Sequence, residues 1–162
     1  MLKAVQLKES TRISMATTPN QKRRRAQRTQ AFVETLTQRF PACFSRNRDD
    51  VRPLAIGIEK DIRSQLEKDD ATEPVPGWLI RQALARYTRT PAYLAAVMAG
   101  GDRIDLDGNP VEPVTEAAIE HASARRAEQK ARAAERRRQQ AEAKAERERS
   151  EKLQRLADRF NQ

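Results

Sequence analysis

The chain has 162 residues, of which 32 are Lys or Arg and 23 are Asp or Glu, and its formal net charge at pH 7 is +9. This length fits a single domain, and the basic balance indicates a polyanionic partner such as RNA, DNA or an acidic membrane surface. One cysteine and one histidine exclude a disulfide framework and a four-ligand zinc site. No apolar run is long enough to cross a bilayer and no signal-peptide pattern is present, so we expect a cytoplasmic protein without membrane contact.

Charge and apolar residues are unevenly distributed. Residues 1–30 carry eight basic residues and one acidic residue, residues 31–110 are nearly neutral, and residues 111–162 are again basic. Nearly all large apolar side chains lie between Phe32 and Ile119, which is enough for a small core without disulfides. We therefore predict three segments, which are a basic arm (1–28), a folded domain (29–122) and a charged helical tail (123–162).

The basic arm is polar, and we expect it to be disordered or only partly helical. The sequence is equally compatible with a translation start at Met1 or at Met15. The arm ends in a basic cluster suited to auxiliary phosphate contacts, formed by Lys22, Arg23, Arg24, Arg25 and Arg28.

Four helices are predicted before residue 100. Apolar residues at helical spacing predict the first over residues 30–39 and the second over about residues 53–68. A third is predicted over residues 78–87. The pair Thr90-Pro91 is typical of the N-cap and first turn of a fourth, and Gly100-Gly101 indicates its end.

The remainder predicts a hairpin and one more helix. Residues 103–106 alternate polar and apolar side chains, and Asp107-Gly108-Asn109 provides the turn of a short β-hairpin. From Thr115 the chain is predicted to be helical, supported by Glu–Arg and Glu–Lys pairs four residues apart. No stripe of large apolar residues spans 122–152, which argues against a coiled coil. The predicted fold class is mainly α, a compact helical domain with a small β-hairpin followed by a long charged C-terminal helix.

Catalytic chemistry has little support. The single cysteine, Cys43, and the single histidine, His121, are far apart in sequence, and each is more typical of a packing or surface residue than of a nucleophile–base pair. We therefore expect that the protein is not an enzyme, has no catalytic residue and binds no cofactor.

The acidic residues of the hairpin do not fit a calcium loop. If Gly108 is aligned with the invariant glycine of an EF-hand, Arg103 and Val114 fall at the first and last ligand positions, where acids are needed. We therefore expect no metal site. Asp105 and Asp107 are instead assigned to shaping the hairpin and to orienting a neighbouring arginine.

Nucleic-acid binding fits the composition better. Arginine can bind phosphates and tyrosine can stack on an unpaired base, and the predicted domain interleaves both types. The alternative is a scatter of surface arginines around two core tyrosines, and composition alone leaves both open. The residues concerned are Arg52, Arg81, Arg86, Arg89, Arg103, Tyr87 and Tyr93.

Four sequence blocks, in this order, resemble the ProQ/FinO family of bacterial RNA chaperones. They are RFPACFS (39–45), RPLAIGIEKDI (52–62), LIRQALARYTRTPAYL (79–94) and RIDLDGNP (103–110). The resemblance implies a compact helical domain that recognises the base of an RNA hairpin and its single-stranded, U-rich 3′ end. It also implies a pocket for the 3′-terminal nucleotide and its free hydroxyl.

The resemblance implies RNA-binding roles for five residues. Tyr93 and Arg103 match residues of the 3′-end pocket, Arg52 and Arg81 match further basic positions near it, and Tyr87 matches a tyrosine with a partly structural role. It further implies a monomeric chaperone that binds structured small or antisense RNAs, protects them and promotes their pairing with target mRNA. Two alternatives remain, a non-specific DNA- or nucleoid-binding basic protein and an adaptor that binds proteins through its long helix.

Overall fold

The structure, a computed structural model, describes residues 18–68 and 74–160. The predicted mainly α class, with one small hairpin and a long charged C-terminal helix, is confirmed. Met15 and the first 17 residues of the basic arm lie outside the described residues. The elements are α1 (Pro19–Arg39), a 3₁₀ turn (Arg48–Asp50), α2 (Ile58–Glu67), α3 (Gly77–Thr88), α4 (Pro91–Met98), β1 (Asp102–Ile104), β2 (Pro110–Pro113) and α5 (Glu116–Phe160).

Helix α1 begins well before the predicted residue 30. Thr18 caps its first turn by accepting a hydrogen bond from the Gln21 N–H (3.4 Å), and Pro19 occupies the first turn. The prediction relied on apolar periodicity, which starts only at Phe32 because the preceding turns are basic and exposed. The basic cluster at the end of the arm is therefore helical.

Helix α2 begins later than predicted, at Ile58, because the preceding Gly57 adopts a left-handed φ of 85°. The segment before it pairs with β1 instead. The Ala55 N–H donates to the Ile104 carbonyl, and the Ile104 N–H donates to the Pro53 carbonyl, both at 2.8 Å. The apolar residues of this extended segment happen to continue the helical spacing of α2, which is why the helix was predicted to begin too early.

The hairpin is shorter than its alternation suggested. Strands β1 and β2 pair in antiparallel fashion, with a register shift between Arg103 and Ile104. The turn that follows is closed by the Asp105 carboxylate, which accepts hydrogen bonds from the N–H groups of Asp107 (2.9 Å) and Asn109 (2.8 Å). This places the strand-like Leu106 in the turn, where it is buried.

One apolar core joins α1 to α4, with Leu36, Phe44, Ile62 and Ile80 almost fully buried at its centre. Helix α5 packs against α4 but buries only Ala122 fully. From residue 130 onward every described residue of α5 is exposed, so the helix starts within the domain and then leaves it. No helix in the described ranges is long and apolar enough to cross a membrane.

Candidate nucleic-acid interface

The candidate site is organised by the main chain of Leu54. Its N–H donates to the Tyr93 Oη (3.0 Å), and its carbonyl accepts a hydrogen bond from Arg103 Nη1 (3.0 Å). Tyr93 comes from α4 and Arg103 from β1. A single buried residue therefore fixes the relative positions of the two side chains that the sequence assigned to a pocket.

Tyr93 and Arg103 line a pocket of about 260 Å³ between the end of α3, α4, β1 and the first turns of α5. Two further arginines and a histidine, Arg89, Arg125 and His121, also line it, and none of its described lining residues is acidic. Leu94 and Val97 supply apolar surface. The arrangement is an open, electropositive cavity that suits an anionic group of limited size.

Two of the pocket residues carry polar groups whose hydrogen-bonding capacity is not fully used within the described residues. Arg103 Nε is buried and has no hydrogen-bond partner, and a buried N–H without an acceptor is uncommon in native proteins. Burial raises the pKa of the Tyr93 hydroxyl, although the Leu54 N–H and Arg103 act in the opposite direction. The hydroxyl therefore keeps its proton at neutral pH and can donate it while accepting from Leu54.

The rings of the two tyrosines are buried and do not offer open surfaces for base stacking. Only 7% of Tyr93 is exposed, which leaves little of its ring for an unpaired base. Its edge meets Tyr87 with ring centroids 5.8 Å apart, and Tyr87 meets Phe44 at 5.0 Å. These edge-to-face contacts favour packing of the core.

Tyr87 serves the core and does not line the pocket. Its Oη accepts a hydrogen bond from the Ser45 N–H (3.2 Å) and donates to the Ser45 carbonyl (3.4 Å). Burial raises its pKa, against the opposing effect of the Ser45 main chain. Of the two roles considered for this residue, the contacts favour the structural one.

Arg52 and Arg81 do not line the pocket either. Arg52 is exposed in the segment that precedes Leu54. Arg81 lies on α3 and pairs with Glu59 of α2 (3.5 Å). Exposed ion pairs of this kind contribute little to stability, so Glu59 does not prevent Arg81 from binding a phosphate.

The two aspartates of the hairpin have different roles. Main-chain and side-chain hydrogen bonds from Asn109, together with the main chain of Asp107 and Gly108, lower the pKa of Asp105, so its carboxylate shapes the turn. Asp107 contributes its main-chain N–H to this network. Arg103 is oriented by the Leu54 carbonyl, whereas the sequence had assigned that task to an aspartate.

The basic cluster of the arm is partly attached to the domain. The guanidinium groups of Arg25 and Arg28 lie 5.6 and 5.7 Å from the ring centre of Trp78 on α3, a favourable cation–π geometry. One turn further, the Thr29 hydroxyl donates to the Gln82 Oε1 (3.2 Å). The remaining members, Lys22 to Arg24, are exposed on the first turns of α1.

A second depression of about 340 Å³ adjoins the pocket along α5. It shares Arg89 and Arg125 with the pocket and adds Glu128, Gln129 and Arg132. The Gln129 side-chain amide donates to the Arg89 carbonyl (2.8 Å) at the end of α3. The electropositive surface therefore continues from the pocket onto the exposed part of α5.

Cys43 and His121 do not have the properties of a nucleophile and its general base. Burial, and secondarily the charge of Asp105, raise the pKa of the Cys43 thiol to about 12, so the thiolate is scarce at neutral pH. His121 lines the pocket, although the sequence suggested only a surface or packing residue. The signal that could have found its position is the helical spacing of residues 118, 121 and 125 along the helix predicted from Thr115.

The family model of the ProQ/FinO family matches residues 26–141. The chain belongs to this family. It is 44% identical over 101 residues to the RNA chaperone ProQ of Aeromonas salmonicida, covering 62% of this chain and 46% of that protein. It is 39% identical over 102 residues to the RNA chaperone ProQ of Pseudoalteromonas atlantica, covering 63% and 45%.

The fold is also similar to a solved structure of the family. The NMR solution structure of a ProQ homolog from Legionella pneumophila has a TM-score of 0.52 and 33% sequence identity, and the match covers 62% of this chain and 81% of that one. The resemblance seen in the four sequence blocks is thus confirmed, and the ProQ/FinO family is one of RNA chaperones and not of enzymes. The chain spans about half the length of the curated relatives it matches.

Proposed function

We propose that this chain is an RNA chaperone whose pocket holds the 3′-terminal nucleotide of an RNA hairpin with a U-rich tail. The observation that carries the proposal is the pocket wall, which combines three arginines and a histidine with no acidic residue among its described lining. Relatives named RNA chaperone ProQ support the choice of RNA as the polyanion.

The size and donors of the pocket favour an RNA end over an internal site. At about 260 Å³ it falls near the lower limit of small-ligand sites, so it suits one ribose with its phosphate and excludes a duplex. Arg103 Nε and the Tyr93 hydroxyl provide donors for phosphate and ribose oxygens. A free 3′-hydroxyl can enter this space, whereas a 3′-phosphate adds bulk.

The stem of the hairpin would meet arginines around the second depression, two of which also line the pocket. Arg89, Arg125 and Arg132 would bind its phosphates, which would orient the RNA without reading sequence. The A-form major groove is too narrow for side chains, so shape and end chemistry set specificity. Enclosure of the 3′ end would protect the RNA from exonucleases, and the basic cluster on α1 would reduce repulsion while a small or antisense RNA pairs with its target mRNA.

The test compares one terminator hairpin carrying a U-rich tail and either a 3′-hydroxyl or a 3′-phosphate. We expect the wild-type chain to bind the hydroxyl form several-fold more tightly. Arg125→Gln should weaken binding by roughly fivefold at low salt through loss of a phosphate contact. Lys130→Gln, on an exposed part of α5 that lines neither depression, should have a much smaller effect.

Two results would contradict the proposal. Equal affinity for the two hairpins would remove the end-binding pocket, and equal losses in the two variants would show that only overall charge matters. Duplex DNA of the same length is included in the same titration. Equal affinity for it would favour the DNA-binding alternative.

A further inference from the structure

Helix α5 has one face without acidic residues, although nine Asp or Glu side chains lie along the helix. With about 100° between successive residues, this face lies within roughly 40° of the direction of Arg125. All nine acidic side chains are about 60° or more away from that direction. We call it the basic face of α5, and from the pocket wall outward its members are Arg125, Gln129, Arg132, Arg136, Gln139, Ala143, Arg147, Ser150, Gln154 and Ala157.

The direction of this face is set by the site. Arg125 lines both the pocket and the second depression, and Arg132 lines the second depression. Arg136 and Arg147 continue the same face on the part of α5 where every described side chain is exposed. The face therefore begins at the pocket wall and extends away from the domain.

Ion pairing leaves the outer part of this face positively charged. On other sides of α5, neighbouring acids compensate basic residues in the pairs Arg138–Glu142 (3.8 Å), Lys144–Glu148 (3.8 Å) and Arg155–Glu151 (4.0 Å). Near the pocket, Glu128 contacts Arg125 (3.4 Å) and Arg132 (2.6 Å). Within residues 18–68 and 74–160, neither Arg136 nor Arg147 forms an ion pair.

We propose that the basic face of α5 binds the phosphates of the RNA beyond the nucleotide held in the pocket. The inference rests on the proposed function and extends its binding surface. From Arg125 to Arg147 the face is about 33 Å long at 1.5 Å per residue, so it can follow several successive phosphates. Its Gln and Ser side chains can donate hydrogen bonds to phosphate and ribose oxygens.

An RNA fits this face better than a protein does. Protein interfaces and coiled coils need large apolar or aromatic side chains at their centre, and the largest apolar residue on this face is alanine. A helix face that carries arginines and no acidic side chain is instead typical of surfaces that bind nucleic-acid backbones. A protein partner is therefore the alternative outcome of the test.

The test uses two matched double variants of the full chain. Arg136→Gln with Arg147→Gln removes two charges from the basic face. Arg137→Gln with Arg149→Gln removes two charges from other sides of α5, and these residues are equally exposed and form no ion pair within the described ranges. Arginine and glutamine have similar helix propensities, and circular dichroism checks that α5 is retained.

Binding to the 3′-hydroxyl hairpin is measured between about 50 and 200 mM salt. For the first variant we expect the log–log salt slope to fall in magnitude by about 1.4–1.8, since each phosphate contact contributes about 0.7–0.9. For the second variant we expect little change. Equal changes in the two variants would overturn the proposal. In that case a protein would be the remaining candidate partner of the basic face.

Two RNA forms distinguish which phosphates are bound. One hairpin has a longer stem, and the other has a short stem with a single-stranded 5′ extension. If the basic-face variant loses affinity only for the hairpin with the longer stem, the stem lies on α5. If it loses affinity only for the hairpin with the 5′ extension, the single strand lies there. Preference for the 3′-hydroxyl should survive in the basic-face variant, so failure of this inference is distinguishable from failure of the pocket.

Discussion

The Arg103 side chain has two opposite hydrogen-bonding states. Nη1 donates to the Leu54 carbonyl, whereas the buried Nε has no partner. A buried donor without an acceptor destabilises a protein by about 1–3 kcal/mol. If the pocket holds RNA as proposed, a phosphate or ribose oxygen that accepts a hydrogen bond from Nε would remove this cost.

Loss of the Tyr93 hydroxyl should destabilise the domain. Tyr93→Phe leaves the buried Leu54 N–H without its acceptor, and we expect the free energy of unfolding to fall by about 1–3 kcal/mol. Thermal or urea denaturation measures the loss. Tyr87→Phe is the matched control, because its hydroxyl serves the part-buried Ser45, where water can substitute. An unchanged stability of the Tyr93 variant would contradict the role assigned to this bond.

Tyr93→Ala is a poor probe of binding, because the substitution also affects folding. Only 7% of the residue is exposed, so removal of the ring would leave a cavity beside Tyr87 and Leu54. Truncation of a buried aromatic ring costs about 3–5 kcal/mol. Exposed pocket residues such as Arg125 separate binding from folding more cleanly.

Local signals predicted some elements well and others poorly. Helices α3 and α4 were located within one residue, because Thr90-Pro91 marks a cap that depends only on neighbouring residues. The same pattern occurs at Thr18-Pro19, where it starts α1. It was overlooked because no apolar periodicity accompanies it. The extended conformation of the segment before α2 was not predictable from nearby residues, since Leu54 is held by partners about 40 to 50 positions away.

Two glycines with the same backbone conformation should respond differently to alanine. Gly57 and Gly108 both have φ of 85°, which costs an L-residue about 1–2 kcal/mol. A Cβ at Gly57 meets nothing within 4 Å, whereas one at Gly108 lies 3.2 Å from the Cβ and carbonyl oxygen of Ala42. We expect Gly57→Ala to lose only the backbone term and Gly108→Ala to lose more, as measured by urea denaturation. Equal losses of unfolding free energy in the two variants would show that a Cβ at residue 108 does not clash with Ala42.

For the whole molecule, the site was predictable only in part. The family resemblance placed Tyr93 and Arg103 together. Arg125 was missed because the domain was ended at residue 122, and His121 was missed because it was interpreted as a surface or packing residue. The continuous helix from Glu116 carries both residues into the pocket wall. The family match to residue 141 likewise extends into this helix. The division into arm, domain and tail stays a prediction.

Removal of residues 142–162 should leave the domain intact. The described residues of this segment are all exposed, and the segment carries six basic and five acidic residues, so its loss changes the net charge by only one unit. We expect an unchanged midpoint of thermal unfolding together with a lower helical signal in circular dichroism. A lower midpoint would indicate that the end of α5 stabilises the domain.

The contacts of Leu54 make the pocket tolerant of mutation at this position. Both hydrogen bonds to Tyr93 and Arg103 use main-chain atoms, which every amino acid except proline provides. A substitution of Leu54 by another apolar residue that fits the core therefore retains the groups that form both hydrogen bonds. At this position, a change of side chain does not remove the hydrogen-bonding groups, because the backbone provides them.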